Sequence, residues 1–416
     1  MAFEDAPWRR KLMRSGMVTA LVIACVLIGL TVAYRAHMQG NFHKLKLKAN
    51  IESERQEAPV PRPGGQEPIV LQRSRMAGDA MPEFLSATLL PGRGMNVLQI
   101  TAYIPGKGEI NLLASPSVQA AAARMTGHGA DAHGEASLAM GGAFEVPWAD
   151  RLGGGTPDRN GVVTTTWQGH ALSAPAGARD GWLLAQAADT ATSETLPDGA
   201  DAQAVFHEAD FGGRWISKTD VTVSALLSSQ AVELTVVATN VGDVAEPIGV
   251  GWHPRFAIAP GGRAQMRLRI PAESRLESRD RTRDQPGGTP AAPAGSEFDF
   301  SAPDGASLGT RSVDDCFIGL KQKLLDSGPA VELSDPSSGY GLRITALSPA
   351  IRTVCAVAPT DGNFVSINPQ YNYPDPFGKQ WSGETNAGMV TLEPGQSTEW
   401  KIRLELFVLS GSAAAN

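Results

Sequence analysis

Glycine and proline interrupt this chain so often, 45 and 29 times, that little of it can run as long helix. Glycine costs helix stability and proline removes a backbone donor, so what survives between them must be short strands and turns. The intervening runs are rich in Val, Thr and Leu, and many alternate apolar with polar residues: MNVLQITAYI from Met95, VELTVVAT from Val232, AQMRLRI from Ala264 and EWKIRLELFVL from Glu399. A period of two buries one face of a strand. TDVTVSALLSSQAVELTVVATN, Thr219 to Asn240, reads as two such strands joined by a polar turn at Ser228 to Gln230, an antiparallel hairpin. The body is therefore expected to be all-β. No repeat of blade or solenoid length is visible, which leaves a large β-sandwich. One short helix is expected at SVQAAAARM, Ser117 to Met125, capped by Ser117 and stopped by Gly127.

One segment departs from this pattern. GMVTALVIACVLIGLTVAY, Gly16 to Tyr34, is uninterrupted by charge and, at about 1.5 Å per residue, long enough for a hydrocarbon core of roughly 30 Å. Tyr34, Arg35 and His37 follow it directly and offer no small-residue cleavage site, so it reads as an uncleaved signal anchor. Arg9, Arg10, Lys11 and Arg14 crowd its amino-terminal flank. The positive-inside tendency then makes 1–15 a cytoplasmic tail and places the body beyond the inner membrane, in the periplasm, although Lys44, Lys46 and Lys48 pull the other way. Residues 35–68 include ESERQEAPVPRPGGQEP and are expected to form a flexible linker, with the globular domain at 69–410.

Residues 1–48 carry eight Lys/Arg against Glu4 and Asp5, a net +6, leaving −13 on the rest of a chain whose total is −7. An acidic body argues against nucleic acid as a partner. Of the three cysteines, Cys25 lies in the apolar segment. Cys316 and Cys355 have no metal-type spacing and read either as buried free thiols, the favoured option, or as a disulfide.

Several familiar sites are absent. There is no GxSxG elbow and no GxxxxGK loop, and FHEADF from Phe206 lacks the second histidine of a zinc helix, which leaves His207 and Glu208 as solvated residues. HGADAH brings His128, Asp131 and His133 close in sequence, but in a flexible Gly/Ala loop that orders metal ligands poorly. No metal or other cofactor is expected. More informative are four dispersed segments, each with polar groups at the end of an apolar run: PWADRLGGG at Pro147, GWHPRF at Gly251, SVDDCFIGL at Ser312 and SINPQYNYPDPFG at Ser366.

In that order the segments resemble those of the aldose 1-epimerase (galactose mutarotase) family, over about residues 90 to 408. The resemblance implies a β-supersandwich with a sugar cleft on one sheet, and an isomerase that interconverts the anomers of an aldose, or acts on a glycan end, by opening and closing the ring. It places His253 at the general acid, Arg151 and Asp314 at sugar contacts, and Gln370 among the orienting groups. Two positions depart from the family. Asn368 stands where the family's catalytic base, a glutamate, is found, and an amide binds a hydroxyl without taking its proton. Asp180, in RDGWLL, stands where many relatives have a sugar-binding histidine. Asp375 and Glu384 are nearby carboxylates that could substitute, although Asp375 before Pro376 also suits a plain turn. Tyr371, Tyr373, Phe377 and Trp381 could stack on a sugar or pack in the core. A catalytically inactive carbohydrate-binding protein of the cell envelope is the competing expectation.

Overall fold

In the computed structural model the described residues are 7–54, 60–75, 78, 81–152, 156–209, 211–277, 279–280, 285–286, 290–381 and 386–409. The chain divides into two units, Met1–Val60 and Pro61–Asn416.

The first unit is a helix, Pro7–Glu54. Its stretch Gly16–Gly40 has a mean hydropathy of 2.5 and no side chain buried by the rest of the chain, so it is long and apolar enough to cross a membrane; a signal sequence would have the same properties. The helix does not stop at Tyr34. It continues through residues expected to be flexible linker, because 41–54 contains no Gly or Pro and is dominated by Lys, Leu, Ala and Glu, which favour helix. The other end of the expected linker is also structured. Pro63–Gly65 forms a 3₁₀ turn with Pro63 buried, and Gln66 Nε2 donates to Ala188 O at 2.7 Å, so the second unit begins before residue 69.

The second unit consists mainly of two antiparallel sheets. Among the described residues, one runs in the order Ile69–Gln72, Glu83–Leu90, Asn96–Ile104, Gly142–Glu145, Gly251–Ala257, Phe364–Gln370, Thr353–Ala358, Val313–Leu320 and Ala272–Glu277, with Gly108–Asn111 beside Asn96–Ile104. The other is built around Ser397–Val408, which pairs with Tyr340–Ala346 on one side and Ala231–Asn240 on the other. The expected hairpin is present as Thr219–Ser228 paired with Ala231–Asn240, and buried residues alternate strictly along the second strand. A continuous apolar core contains residues from both sheets, among them Val97, Ile100 and Ile367 from the first and Val223, Val236 and Trp400 from the second. This is the all-β sandwich that the alternation implied. The short helix is Val118–Arg124, with Ser117 Oγ accepting from Ala120 N.

Cys316 and Cys355 are joined in a disulfide, which corrects the expectation of free thiols. They lie directly opposite each other on paired strands, a placement that their separation of 39 residues does not disclose.

Among the described residues, a carboxyl buried in the core is held by a hydroxyl. Glu246 is fully buried and accepts from Thr219 Oγ1 at 2.9 Å, and burial pushes its pKa up to about 7. A carboxyl raised in the folded state favours folding below its unfolded pKa, and that contribution is lost as pH climbs from about 4.5 through about 7. Glu246→Gln should remove this dependence. At pH 8 the variant is expected to be more stable than the parent by roughly 1–3 kcal/mol, and at pH 4 nearly equal to it, as measured by urea midpoints at the two pH values.

Candidate active site

The strand Gly251–Ala257 has its even-numbered residues Trp252 and Phe256 in the core. Its odd-numbered residues therefore look outward from the sandwich, in register with neighbours whose side chains share that face. Gly251 opposes Gln370 and Arg255 opposes Ser366, which sets His253 against Asn368; Asn368 opposes Cys355, and Cys355 opposes Cys316. One row across the sheet thus reads His253, Asn368, Cys355, Cys316, and the adjacent row carries Asp314.

On the other side, Gly142–Glu145 pairs with the same strand and sets Glu145 against Gly251. A Cβ at Gly251 would come within 2.3 Å of Glu145 Oε2, so only glycine leaves room for this carboxyl. Gly249 does the same for Asn372, whose Oδ1 would lie 2.2 Å from such a Cβ. The GVGW sequence is therefore a device for bringing polar side chains close to the strand. Asn372 uses the room to accept from Ala149 N at 3.1 Å and to donate to Ala149 O at 2.8 Å, fixing the segment that leads to Arg151.

That segment and residues 178–182 are tied to each other. Asp180 Oδ1 accepts from Asp150 N at 2.8 Å, and Asp150 O accepts from Asp180 N at 2.7 Å. Both aspartates have positive φ, 63° and 61°, a conformation that Asp tolerates better than most residues. Arg151 and Arg179 bridge beside them. Beneath lies a cluster of rings: Trp148 stacks on Trp215 at 5.7 Å and meets Trp182 edge-on at 4.5 Å, while its Nε1 donates to Asp150 O at 3.1 Å.

The result is a small polar centre. His253 Nδ1 lies 3.3 Å from Glu145 Oε1 and 2.8 Å from Asn368 Nδ2, and Ser366 Oγ lies 2.8 Å from Asn368 Oδ1 and 2.6 Å from Pro254 O. Donor atoms of Glu145, Asp180 and His253 all fall within 4.8 Å of one another. Burial and the neighbouring Asp180 and Asp150 hold Glu145 well above the usual carboxylate range. Burial also raises Asp150 to about 6 against the opposing pull of Arg179. Arg179, half-exposed at 44%, is pushed up chiefly by Asp180 and Asp150 and stays cationic. Burial drives His253 down to about 4, so the imidazole is neutral at physiological pH. A divalent cation could use two carboxyls and a neutral imidazole, but Arg179 and Arg151 already balance Asp150 and Asp180. The remaining excess is a single negative charge on Glu145, which one proton cancels.

Of the residues singled out from the sequence, His253, Asn368, Asp180 and Arg151 come together here. Asp314 lies close enough for its charge to act on Asp150 and Arg179. Gln370 is in the row of Gly251, but its Nε2 donates to Asn372 O at 2.8 Å and so supports the loop. Asp375 is a buried turn residue with φ 51°, accepting from Gln380 Nε2 at 3.2 Å within its own loop. Glu384 lies outside the described residues. Tyr371 is in the core, and Trp381 packs over the disulfide together with Tyr373. His128 and His133 are exposed, while Asp131 is ion-paired to the buried Arg93. His207 and Glu208 are exposed, as expected. Glu145, Asp150 and Arg179 went unassigned in the sequence, and a visible signal for the first was an acidic residue inside the apolar run GAFEVPW. A depression of about 770 Å³ lies on the second sheet, where Arg269 and Arg343 are both paired with Glu332 (3.6 and 2.8 Å).

Comparison with known proteins agrees with this fold. The sequence matches the family described as Aldose 1-epimerase over residues 126–405. Among solved structures, a galactose mutarotase-like protein from Clostridium acetobutylicum aligns with a TM-score of 0.64 at 15% identity, covering 82% of this chain and 99% of its own. A putative aldose 1-epimerase from Escherichia coli K12 gives 0.56 at 18% identity, covering 79% and 99%. The GalM/aldose epimerase homologue from Caenorhabditis elegans gives 0.60 at 14%, covering 78% and 96%. No curated protein matches the sequence. A family match spanning most of the body, in a fold shared with these structures, places the chain in the aldose 1-epimerase family.

Proposed function

We propose that this protein is a membrane-anchored aldose 1-epimerase-like isomerase that interconverts the anomers of an aldose or of a glycan's reducing end. The observation that carries this reading is the convergence of His253, Asn368, Asp180 and Glu145 on the outward face of one sheet, with Arg179 and Arg151 at its edge. Ring opening needs the anomeric hydroxyl to lose a proton and the ring oxygen to gain one. His253 is the group that exchanges these protons, while Arg151, Asp180 and Asp314 bind hydroxyls; Asn368 can bind the sugar but not deprotonate it. The helix through Gly16–Gly40 anchors the chain in the inner membrane, and the cations at Arg9, Arg10, Lys11 and Arg14 keep its amino terminus cytoplasmic and the body periplasmic.

Polarimetry or exchange NMR on the detergent-solubilised chain with a panel of aldoses tests this reading, and faster anomer exchange for at least one of them is expected. The amide at Asn368 favours a second reading, a sugar-binding protein without turnover. Saturable sugar binding with no acceleration would select it.

A further inference from the structure

The hydrogen-bonding partners around His253 can be satisfied in one consistent way. Ser366 has a single hydroxyl proton, and Pro254 O, 2.6 Å away, can only accept it. The Asn368 amide at 2.8 Å from Ser366 must then donate to it, which turns the amide end for end and sets its oxygen against His253 Nδ1. Nδ1 therefore bears the proton, shared between the Asn368 oxygen at 2.8 Å and Glu145 Oε1 at 3.3 Å. Three buried oxygens of the cluster remain without a hydrogen bond, Glu145 Oε2, Asp150 Oδ2 and Asp180 Oδ2, the last with Arg179 Nε 3.7 Å away, and one proton placed on Glu145 joins its carboxyl to that of Asp180. That proton also cancels the excess negative charge of the cluster.

We infer that Glu145 is a protonated positioning residue, hydrogen-bonded to Asp180, which locks His253 as the Nδ1–H tautomer so that Nε2 faces the sugar as a proton acceptor. This rests on the isomerase reading above and reverses the donor role expected for His253. Nε2 takes the proton of the anomeric hydroxyl, and the C1–O1 bond becomes a carbonyl. The C1–O5 bond breaks with its electron pair going to O5, and the imidazolium Nε2–H hands the same proton to O5. Closure on the other face of the carbonyl runs these steps backwards. O1 and O5 are borne by one carbon, so one nitrogen can serve both, and the missing base at position 368 is not needed. Asp180 stabilises the transient imidazolium, opposed by Arg179 and Arg255.

The groups that face this pair are Asp180, Asp150, Arg179 and Arg151 from the covering loops, Arg255 and Asn368 from the sheet, and Asp314 across it. Because His253 must be neutral, the rate should be level between about pH 5 and 8 and fall as pH drops toward about 4. Glu145→Ala should lower kcat roughly tenfold or more by releasing the tautomer. Glu145→Gln should recover most of that loss, because its amide donates to Asp180 and its carbonyl accepts from Nδ1–H. The ring nitrogens of ¹⁵N-histidine-labelled full chain, with the His253 signals assigned by their loss in His253→Ala, should report a protonated Nδ1 and a bare Nε2. A Gln variant as slow as Ala, a rate that rises on acidification below pH 6, or an Nε2–H tautomer would each overturn the inference. So would a stoichiometric divalent metal that is retained by the parent and lost in Glu145→Gln. If no aldose is accelerated by the parent protein, the isomerase reading fails, and the ¹⁵N spectrum still decides the tautomer by itself.

Discussion

Replacing His253 by alanine should lower the rate of anomer exchange by about 10²- to 10⁴-fold, the range typical for removal of a positioned proton-transfer group. The expectation rests on position: the imidazole is the only one among the described residues that shares the outward face with Asn368, Asp180 and Glu145. The other described histidines lie elsewhere, with His128, His133, His170 and His207 exposed on the body. KM should change little, since the groups proposed to bind hydroxyls, Arg151, Asp180 and Asp314, remain. Some stability should be lost as well, roughly 1–3 kcal/mol, because Asn368 and Glu145 are buried and each loses a hydrogen-bond partner. Kinetics and a denaturation midpoint measured on one preparation separate the two effects. A variant that folds, binds sugar and turns over at the parent rate would remove His253 from the chemistry.

How far the fold was legible depends on the range of the interaction that determines each part. Ala231–Asn240 and Ser397–Val408 were readable because their alternation is local, strict along the first and clear through Leu404 in the second. The helix beyond Tyr34 was not, because polar Lys-rich sequence without Gly or Pro is equally compatible with a tether and with helix continuing from a nucleus already formed by the apolar stretch. The row His253, Asn368, Cys355, Cys316 is a product of register across four strands, and register is a property of pairs. Hence the resemblance could point to His253 and Asn368 but not to their pairing, and the disulfide beside them could not be inferred from spacing. Glu145 illustrates the other limit. A carboxyl in a buried strand becomes intelligible only once Gly251, more than a hundred residues away, is seen to leave the space that it fills. Gln370, expected from the resemblance among the orienting groups, and Asp375, expected as a nearby carboxylate, make hydrogen bonds with Asn372 O and Gln380 Nε2 in the loop that follows Phe364–Gln370, partners that the segment does not disclose.

Trp148→Ala is expected to destabilise the body by about 3–5 kcal/mol, the cost of deleting a large buried ring without full collapse of the cavity. Trp148 is fully buried, and its removal takes away one partner of both Trp182 and Trp215. The effect should reach the site. Trp148 Nε1 holds Asp150 O, and Asp150 O also accepts from Asp180 N, so the ring anchors the turn that presents both aspartates at positive φ. Once that anchor is gone, two strained turns lose the packing that over-determines them, and Asp180 is free to leave Glu145. Trp148→Phe separates packing from the hydrogen bond: most of the apolar contact survives, and the donor to Asp150 does not. It should cost less, about 1–2 kcal/mol. Urea denaturation followed by near-ultraviolet circular dichroism, which reports the tryptophan cluster directly, measures both. The order parent, Phe, Ala should hold for stability and for anomer exchange alike. If Ala matched the parent in exchange rate while losing the full stability increment, the ring cluster would support the fold alone, and the placement of Asp150 and Asp180 would have to come from the Asn372 clasp on Ala149 instead.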